Sequence, residues 1–282
     1  MATIDPQLRI RSARLAVADL DRSSGFYERV LGLPLIERDD GRALLGTDRD
    51  APALELEQLD GARPAPPRST GLFHIAWLHP SRAGLAETVR RVAAAGWPFS
   101  GASDHAVSEA LYLNDPDGLG IEIYVDRPRE LWTRGADGGY VIVTEPLDVE
   151  DLLAQSTGSP GPQAEPGTAI GHVHLKVSDV PRALAFYDAL GFERQALLPS
   201  AAFISAGGYH HHIGLNSWQS AGGAPAPADA PGLREVDFEL PGGEQVRELA
   251  ERAGGTADGA AIELLDPDGE RLVFRTAAAQ AA

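Results

Sequence analysis

Apolar positions along the chain follow two periods, one of strands and one of helices, and the two return in the same order. From Leu8 to Asp19 apolar and polar residues alternate as in a half-buried strand. From Arg22 to Leu33 the spacing changes and sets Phe26, Tyr27, Val30 and Leu31 on one face of a helix, which Gly32 and Pro34 stop. Strands are predicted around Arg42 to Gly46 and Ala53 to Gln58, and Arg63-Pro-Ala-Pro-Pro67 reads as a connector. A second unit spans Gly71 to Pro128. Its first strand, Phe73 to Leu78, is an apolar run holding a single imidazole, His74; Leu85, Val89 and Val92 mark a helix that ends at Gly96. Ala110 to Leu113 and Ile121 to Val125 then read as strands joined by the turn Asp115-Pro-Asp-Gly118. Glu122, inside Gly-Ile-Glu-Ile-Tyr, must face water or have a partner, because an ionised group buried alone is costly.

Between Trp132 and Thr168 the composition shifts to Gly, Pro, Thr and acidic residues, with one short helix predicted at Val149 to Ala154. Residues 131–169 are therefore read as a linker between an N-terminal two-module domain, 1–130, and a C-terminal one, 170–282. Beyond it the opening returns: Ile170 to Val180 lies over Ile10 to Leu20, Phe186-Tyr187 over Phe26-Tyr27, and Asp266-Pro-Asp-Gly269 over Asp115-Pro-Asp-Gly118. The halves are copies, each made of two small modules, and the fold class expected is α+β with four βαβββ modules.

The repeat separates polar positions by copy. Ser12 and Arg14 in the first module correspond to His172 and His174 in the third, and His74 and Glu122 in the second correspond to Glu235 and Val273 in the fourth. The inner modules thus carry two imidazoles and a carboxylate, His74, His172 and Glu122, each on a strand that fixes its direction. If those modules face each other, the three form a facial triad with open coordination, which suits Fe(II), with Mn(II) the close alternative.

Composition narrows the chemistry. The 282 residues are 43% hydrophobic and 23% charged, enough for two domains with real cores. With 24 basic against 41 acidic residues the net charge is −17, which argues against nucleic acid or an anionic membrane as partner. No cysteine is present, so disulfides, thiolate metal sites and cysteine nucleophiles are excluded, and any metal must be held by His and carboxylate. The first residues, MATIDPQLRIRS, lack an apolar run of signal-peptide length and no stretch approaches a transmembrane span, so the cytoplasm is the expected location. Whether the chain forms a homo-oligomer stays open.

The two openings Leu15-Ala-Val-Ala-Asp-Leu…Phe-Tyr27 and Leu175-Lys-Val-Ser-Asp-Val…Phe-Tyr187, together with Asp-Pro-Asp-Gly-Leu-Gly-Ile-Glu-Ile-Tyr124, resemble the vicinal oxygen chelate superfamily of glyoxalases, antibiotic-resistance proteins and extradiol dioxygenases. Asp104 to Tyr112, Asp126 to Trp132 and Gly207-Gly-Tyr-His-His-His-Ile-Gly-Leu-Asn-Ser-Trp218 are similar to the bacterial catechol-2,3-dioxygenases of the CatE type, and the similarity covers nearly the whole chain. The resemblance implies tandem domains of curved mixed sheets around one metal, with inner modules paired to each other and outer to outer. It implies His74, Glu122 and His172 as ligands of Fe(II) or Mn(II). It also implies ring cleavage of a small aromatic diol, with both atoms of O₂ inserted.

By the same resemblance Tyr112 faces the bound diol, His105 is a loop histidine near it, and His174 fills a polar position beside the substrate. His211 matches the acid–base histidine, a role that an imidazole suits because it gives and takes protons near neutrality. His212 is the runner-up for that role and a substrate-binding candidate. The run His210 to His212 reads as a strand, with His210 a packing or surface residue. A glyoxalase-like isomerase, a hydroquinone ring cleaver and a non-catalytic protein that sequesters aromatic ligands are the competing readings.

Overall fold

Two aspartates explain why the repeat opens as it does. Asp19 accepts the backbone N–H of Arg22 at 2.9 Å and Asp179 that of Arg182 at 2.7 Å, so each caps the helix that follows its strand. The structure is a computed structural model and describes residues 3–49, 52–156, 158–257 and 259–277. The first module comprises β1 (Arg9–Val17), α1 (Leu20–Arg29), β2 (Leu35–Arg38), β3 (Arg42–Leu45) and β4 (Leu54–Gln58). The second comprises β5 (Gly71–Leu78), α2 (Arg82–Ala94), β6 (Gly101–Asp104), β7 (Ser108–Asn114) and β8 (Gly120–Asp126). After α3 (Val149–Ala154) come β9 (Ala169–Lys176), α4 (Val180–Leu190), β10 (Glu193–Leu198), β11 (Ala201–Ser205) and β12 (Ile213–Asn216). The fourth module holds β13 (Gly232–Leu240), α5 (Gly243–Arg252), β14 (Ala261–Leu265) and β15 (Arg271–Thr276), one strand fewer than the others among the described residues.

The modules form two mixed sheets, in the order β14-β15-β13-β1-β4-β3-β2 and β10-β11-β12-β9-β5-β8-β7-β6. Outer modules pair through antiparallel β1 and β13, inner modules through antiparallel β5 and β9. Both sheets therefore draw on both halves of the chain, and residues 131–169 separate repeats along the sequence rather than sheets in space. Helices cover the sheets, and one apolar core, including Leu15, Trp77, Leu175 and Phe238, runs through all four modules.

The shared Asp-Pro-Asp-Gly turns and aromatic pairs dock neighbouring modules. Asp115 Oδ1 accepts the N–H groups of Asp117 and Leu119, and Asp266 Oδ1 those of Asp268 and Glu270, all at 2.8 Å. Tyr27 donates to Asp115 and Tyr187 to Asp266, each at 3.3 Å, linking the first module to the second and the third to the fourth. The motifs that mark the repeat are therefore structural fastenings. No helix of the described residues is long and apolar enough to cross a membrane.

The connecting segment is tied down as well. Arg91, buried on α2, donates to the carbonyls of Leu31, Gly161 and Gln163 at 3.1, 2.9 and 2.7 Å. Nearby His79 is buried with Nδ1 3.4 Å from Thr168 Oγ1. Burial, reinforced by the charge of Arg91, pushes His79 down to about 3. An unfolded imidazole takes up its proton near pH 6.5, so below that pH the unfolded chain binds a proton that the folded chain refuses, and stability falls as the pH drops toward 3. In urea titrations of the metal-free protein, His79→Leu is expected to flatten the pH dependence of stability between about pH 6 and 4 by about 1.4 kcal/mol per pH unit. An unchanged slope would mean that His79 protonates within the fold.

Candidate metal centre and active site

β5 lies between β8 and β9, and its register decides which side chains meet. His74 pairs with Gly120 on one side and His174 on the other; two residues on, Ala76 pairs with Glu122 and His172. Residues two apart on a strand share a face, so His74, Glu122 and His172 converge over the methyl of Ala76, which is too small to fill the space between them. Register irregularities between Leu72 and His74 and between Ala76 and Trp77 bracket this point, as bulges often do where side chains are re-aimed. Gly120 must lack a side chain, since a Cβ there would lie 2.0 Å from the Phe73 carbonyl.

Glu122 Oε2 is 3.0 Å from His74 Nε2 and 3.2 Å from His172 Nε2, and the two nitrogens are 3.3 Å apart. All three residues are buried, and among the described residues they are the one group of His and acid able to hold a metal ion. Burial pushes Glu122 up, yet His172 and His74 hold it well below the usual carboxylate range. Burial pushes His172 down to about 4 against the pull of Glu122. Glu122 is thus held as a carboxylate and His172 keeps its lone pair, as ligation requires. Ligand atoms bound about 2.1 Å from a divalent ion at right angles lie about 3 Å apart, so the observed spacing fits one face of an octahedron and leaves the opposite face open.

His74 and Glu122 line a cavity of about 440 Å³, with His172 against them and behind His211, and Phe73, Phe203, Ile142, Leu198 and half-exposed Trp218 complete its wall. Tyr112, opposite Glu122 across β7 and β8, lines it. Burial and the charge of Glu122 raise the Tyr112 phenol. Its Oη is 2.6 Å from His105 Nε2, while His105 Nδ1 is 2.6 Å from the Val143 carbonyl. That carbonyl can only accept, so neutral His105 carries its proton on Nδ1 and takes the Tyr112 hydroxyl hydrogen on Nε2. His174 also lines the cavity, with Nε2 buried and without a hydrogen-bond partner. Gly214 makes room for it, because a Cβ there would come within 2.8 Å of its ring.

The histidine run departs from the expected strand. His210 to His212 precede β12 in a turn, after Gly207 and Gly208 with φ of +59° and +64°, values that glycine tolerates and other residues rarely adopt. His211 lines the cavity, its ring centroid 4.0 Å from that of His172. His212 points elsewhere: its Nδ1 accepts the Ala206 N–H at 3.2 Å and it borders a separate groove beside Arg129. His210 is fully buried, with Nε2 2.8 Å from Asp126 Oδ1 and Nδ1 2.7 Å from His211 Nδ1.

Two contributors escaped the sequence reading. Segment 131–169 supplies Ile142 and Thr144 to the cavity wall and Val143 to His105. Asp126 ends β8 on the face that carries Glu122, a placement legible from period two alone. In the outer sheet the places of His174 and His74 are taken by Arg14 and Glu235, adjacent across β1 and β13 and joined by a 2.8 Å ion pair. A larger cleft of about 870 Å³ lies at the Asp-Pro-Asp-Gly turns; it shares Phe73, Asn114 and Gly120 with the first cavity, none of the triad lines it, and Arg22 pairs there with Asp117.

A family model for the Glyoxalase/Bleomycin resistance protein/Dioxygenase superfamily matches residues 9–123. The chain is 43% identical over 256 residues to a catechol-2,3-dioxygenase of Bacillus subtilis (strain 168), covering 89% of this chain and 90% of that protein. Among solved structures, a candidate dioxygenase from Bacillus subtilis subsp. subtilis str. 168 superposes with a TM-score of 0.64 at 15% identity, covering 98% of this chain and 86% of the other. Glyoxalase I from Zea mays superposes with a TM-score of 0.58 at 18% identity, covering 96% and 92%. The structural likenesses carry the fold, the sequence likeness carries the kinship, and the chain therefore belongs to the glyoxalase/bleomycin resistance protein/dioxygenase superfamily.

Proposed function

We propose that the chain is an extradiol ring-cleaving dioxygenase that inserts both atoms of O₂ into a catecholic substrate, with Fe(II) or Mn(II) held by His74, Glu122 and His172. The observation that carries this reading is the convergence of those ligand atoms to within 3.0–3.3 Å, with His74 and Glu122 lining a largely apolar cavity. The 43% identity to a catechol-2,3-dioxygenase supports the substrate class. An ion held there would supply Lewis acidity toward the diol hydroxyls and a common site for diol and O₂. The chain's own residues orient the ring and handle protons. His211 takes a proton from the diol and later returns it; Tyr112, its hydroxyl held by His105, and His174 through its free Nε2 hydrogen-bond the diol oxygens; Phe73, Phe203 and Trp218 hold the ring and exclude water.

The cavity also bears on which diol. Eight non-hydrogen atoms of a bare catechol, each given a water's share of liquid, fill roughly 240 Å³, less than the 440 Å³ present. Among the described residues no lysine or arginine lines it, so a carboxylated ring would bury its charge unpaired. Protein loaded anaerobically with Fe(II) is expected to hold about one metal per chain and to consume O₂ with catechol and alkylcatechols. In the same oxygen-electrode assay 3,4-dihydroxybenzoate should show a kcat/KM lower by roughly 10-fold or more. Absence of metal after loading, or no O₂ uptake with any catechol, would refute the reading.

A further inference from the structure

His211 does not stand alone. Glu122, Tyr124 and Asp126 share one face of β8, so the strand that supplies the triad's carboxylate also carries a second carboxylate behind His211. Asp126 Oδ1 receives two donors, His210 Nε2–H at 2.8 Å and the Tyr209 hydroxyl at 3.2 Å, and Tyr124 in turn donates to Tyr209 at 2.8 Å. The His210 ring is clamped between Trp132 and Tyr209, at centroid distances of 5.2 and 4.2 Å. A carboxylate only accepts, so His210 holds its Nε2 proton toward Asp126. In neutral His210 the other nitrogen, Nδ1, is then an acceptor, and the 2.7 Å contact makes His211 Nδ1 the donor.

We propose that Asp126 and His210 are positioning residues that fix the ring orientation and tautomer of His211. They place its proton on Nδ1 and leave the Nε2 lone pair as the nitrogen available to the cavity. The arrangement Asp126–His210–His211 follows the logic by which a buried carboxylate sets the tautomer of a catalytic imidazole, extended by one ring. The catalytic consequence rests on the proposed acid–base role of His211; the tautomer itself does not.

Two-bond ¹H–¹⁵N imidazole spectra of metal-free, full-length, ¹⁵N-histidine-labelled protein at pH 8 read that tautomer directly. His211 is expected as the Nδ1–H form and His210 as the Nε2–H form. In His210→Phe and Asp126→Leu the His211 signal should move toward a mixture of tautomers. Metal content and KM should stay close to wild type while kcat falls roughly 10- to 100-fold. Asp126→Asn keeps an acceptor and should restore both the tautomer and most of kcat. Wild-type His211 in the Nε2–H form, or folded His210→Phe turning over at the wild-type rate, would overturn the proposal. Protein that cleaves no diol but shows the Nδ1–H form would remove the dioxygenase reading and still support the positioning role.

Discussion

Glu122→Ala is expected to leave the protein folded but unable to retain iron or manganese, and His74→Ala and His172→Ala should do the same. The three side chains contribute the whole of the converged donor set, and Ala76 offers nothing in compensation. Loss of a residue that only supports a ligand typically costs about 10- to 100-fold in metal affinity, so loss of one of three direct ligands should cost at least about 100-fold. Glu235→Ala and Ser12→Ala, at the equivalent places in the outer sheet, should keep full metal content. Glu235 is engaged with Arg14 and Arg271, so its loss should cost on the order of 1 kcal/mol of stability and no metal. Metal analysis after anaerobic loading, with circular dichroism to check folding, measures both sets. Equal loss of metal from the two sheets would place the ion outside the triad.

His211→Phe should hold metal and bind catechol within a few-fold of wild type, because phenylalanine keeps the ring against His172 and Phe203, whose centroids lie 4.0 and 4.9 Å away. It removes the basic nitrogen, so ring opening should slow by roughly 10²- to 10⁴-fold. His212→Phe is the paired control. Its imidazole already accepts a backbone N–H and faces a different groove, so kcat should change by less than a few-fold. Stopped-flow spectra under single turnover separate diol binding from ring opening. A slow His212→Phe beside a normal His211→Phe would transfer the role to His212.

Central strands and helices were legible because their periods record burial on one or both faces. β2 and β6 were missed for the same reason: they are short edge strands, Leu-Ile-Glu-Arg and Gly-Ala-Ser-Asp, with no buried residue in β2 and one in β6. The wall formed by residues 142–144 left no trace in the pattern, since Gly- and Pro-rich composition marks a connection without saying what it crosses. His210 was read as packing or surface because residue type and spacing do not reveal a hydrogen bond to Asp126, which is distant along the chain.

Comparison of the copies brought out His74, Glu122, His172 and His174 together, because a repeat shows directly where residues replace one another at one strand position. Whether those residues meet is a question of long-range pairing. It is answered by β5 lying antiparallel to β9, an alignment that apolar burial across the inner modules enforces and that no local period encodes. The same holds for which of His211 and His212 faces the cavity. Neighbouring side chains of one type are equivalent in a string of letters, and the Gly207-Gly208 turn that sends one into the cavity and the other away is resolved only once the chain has closed on itself.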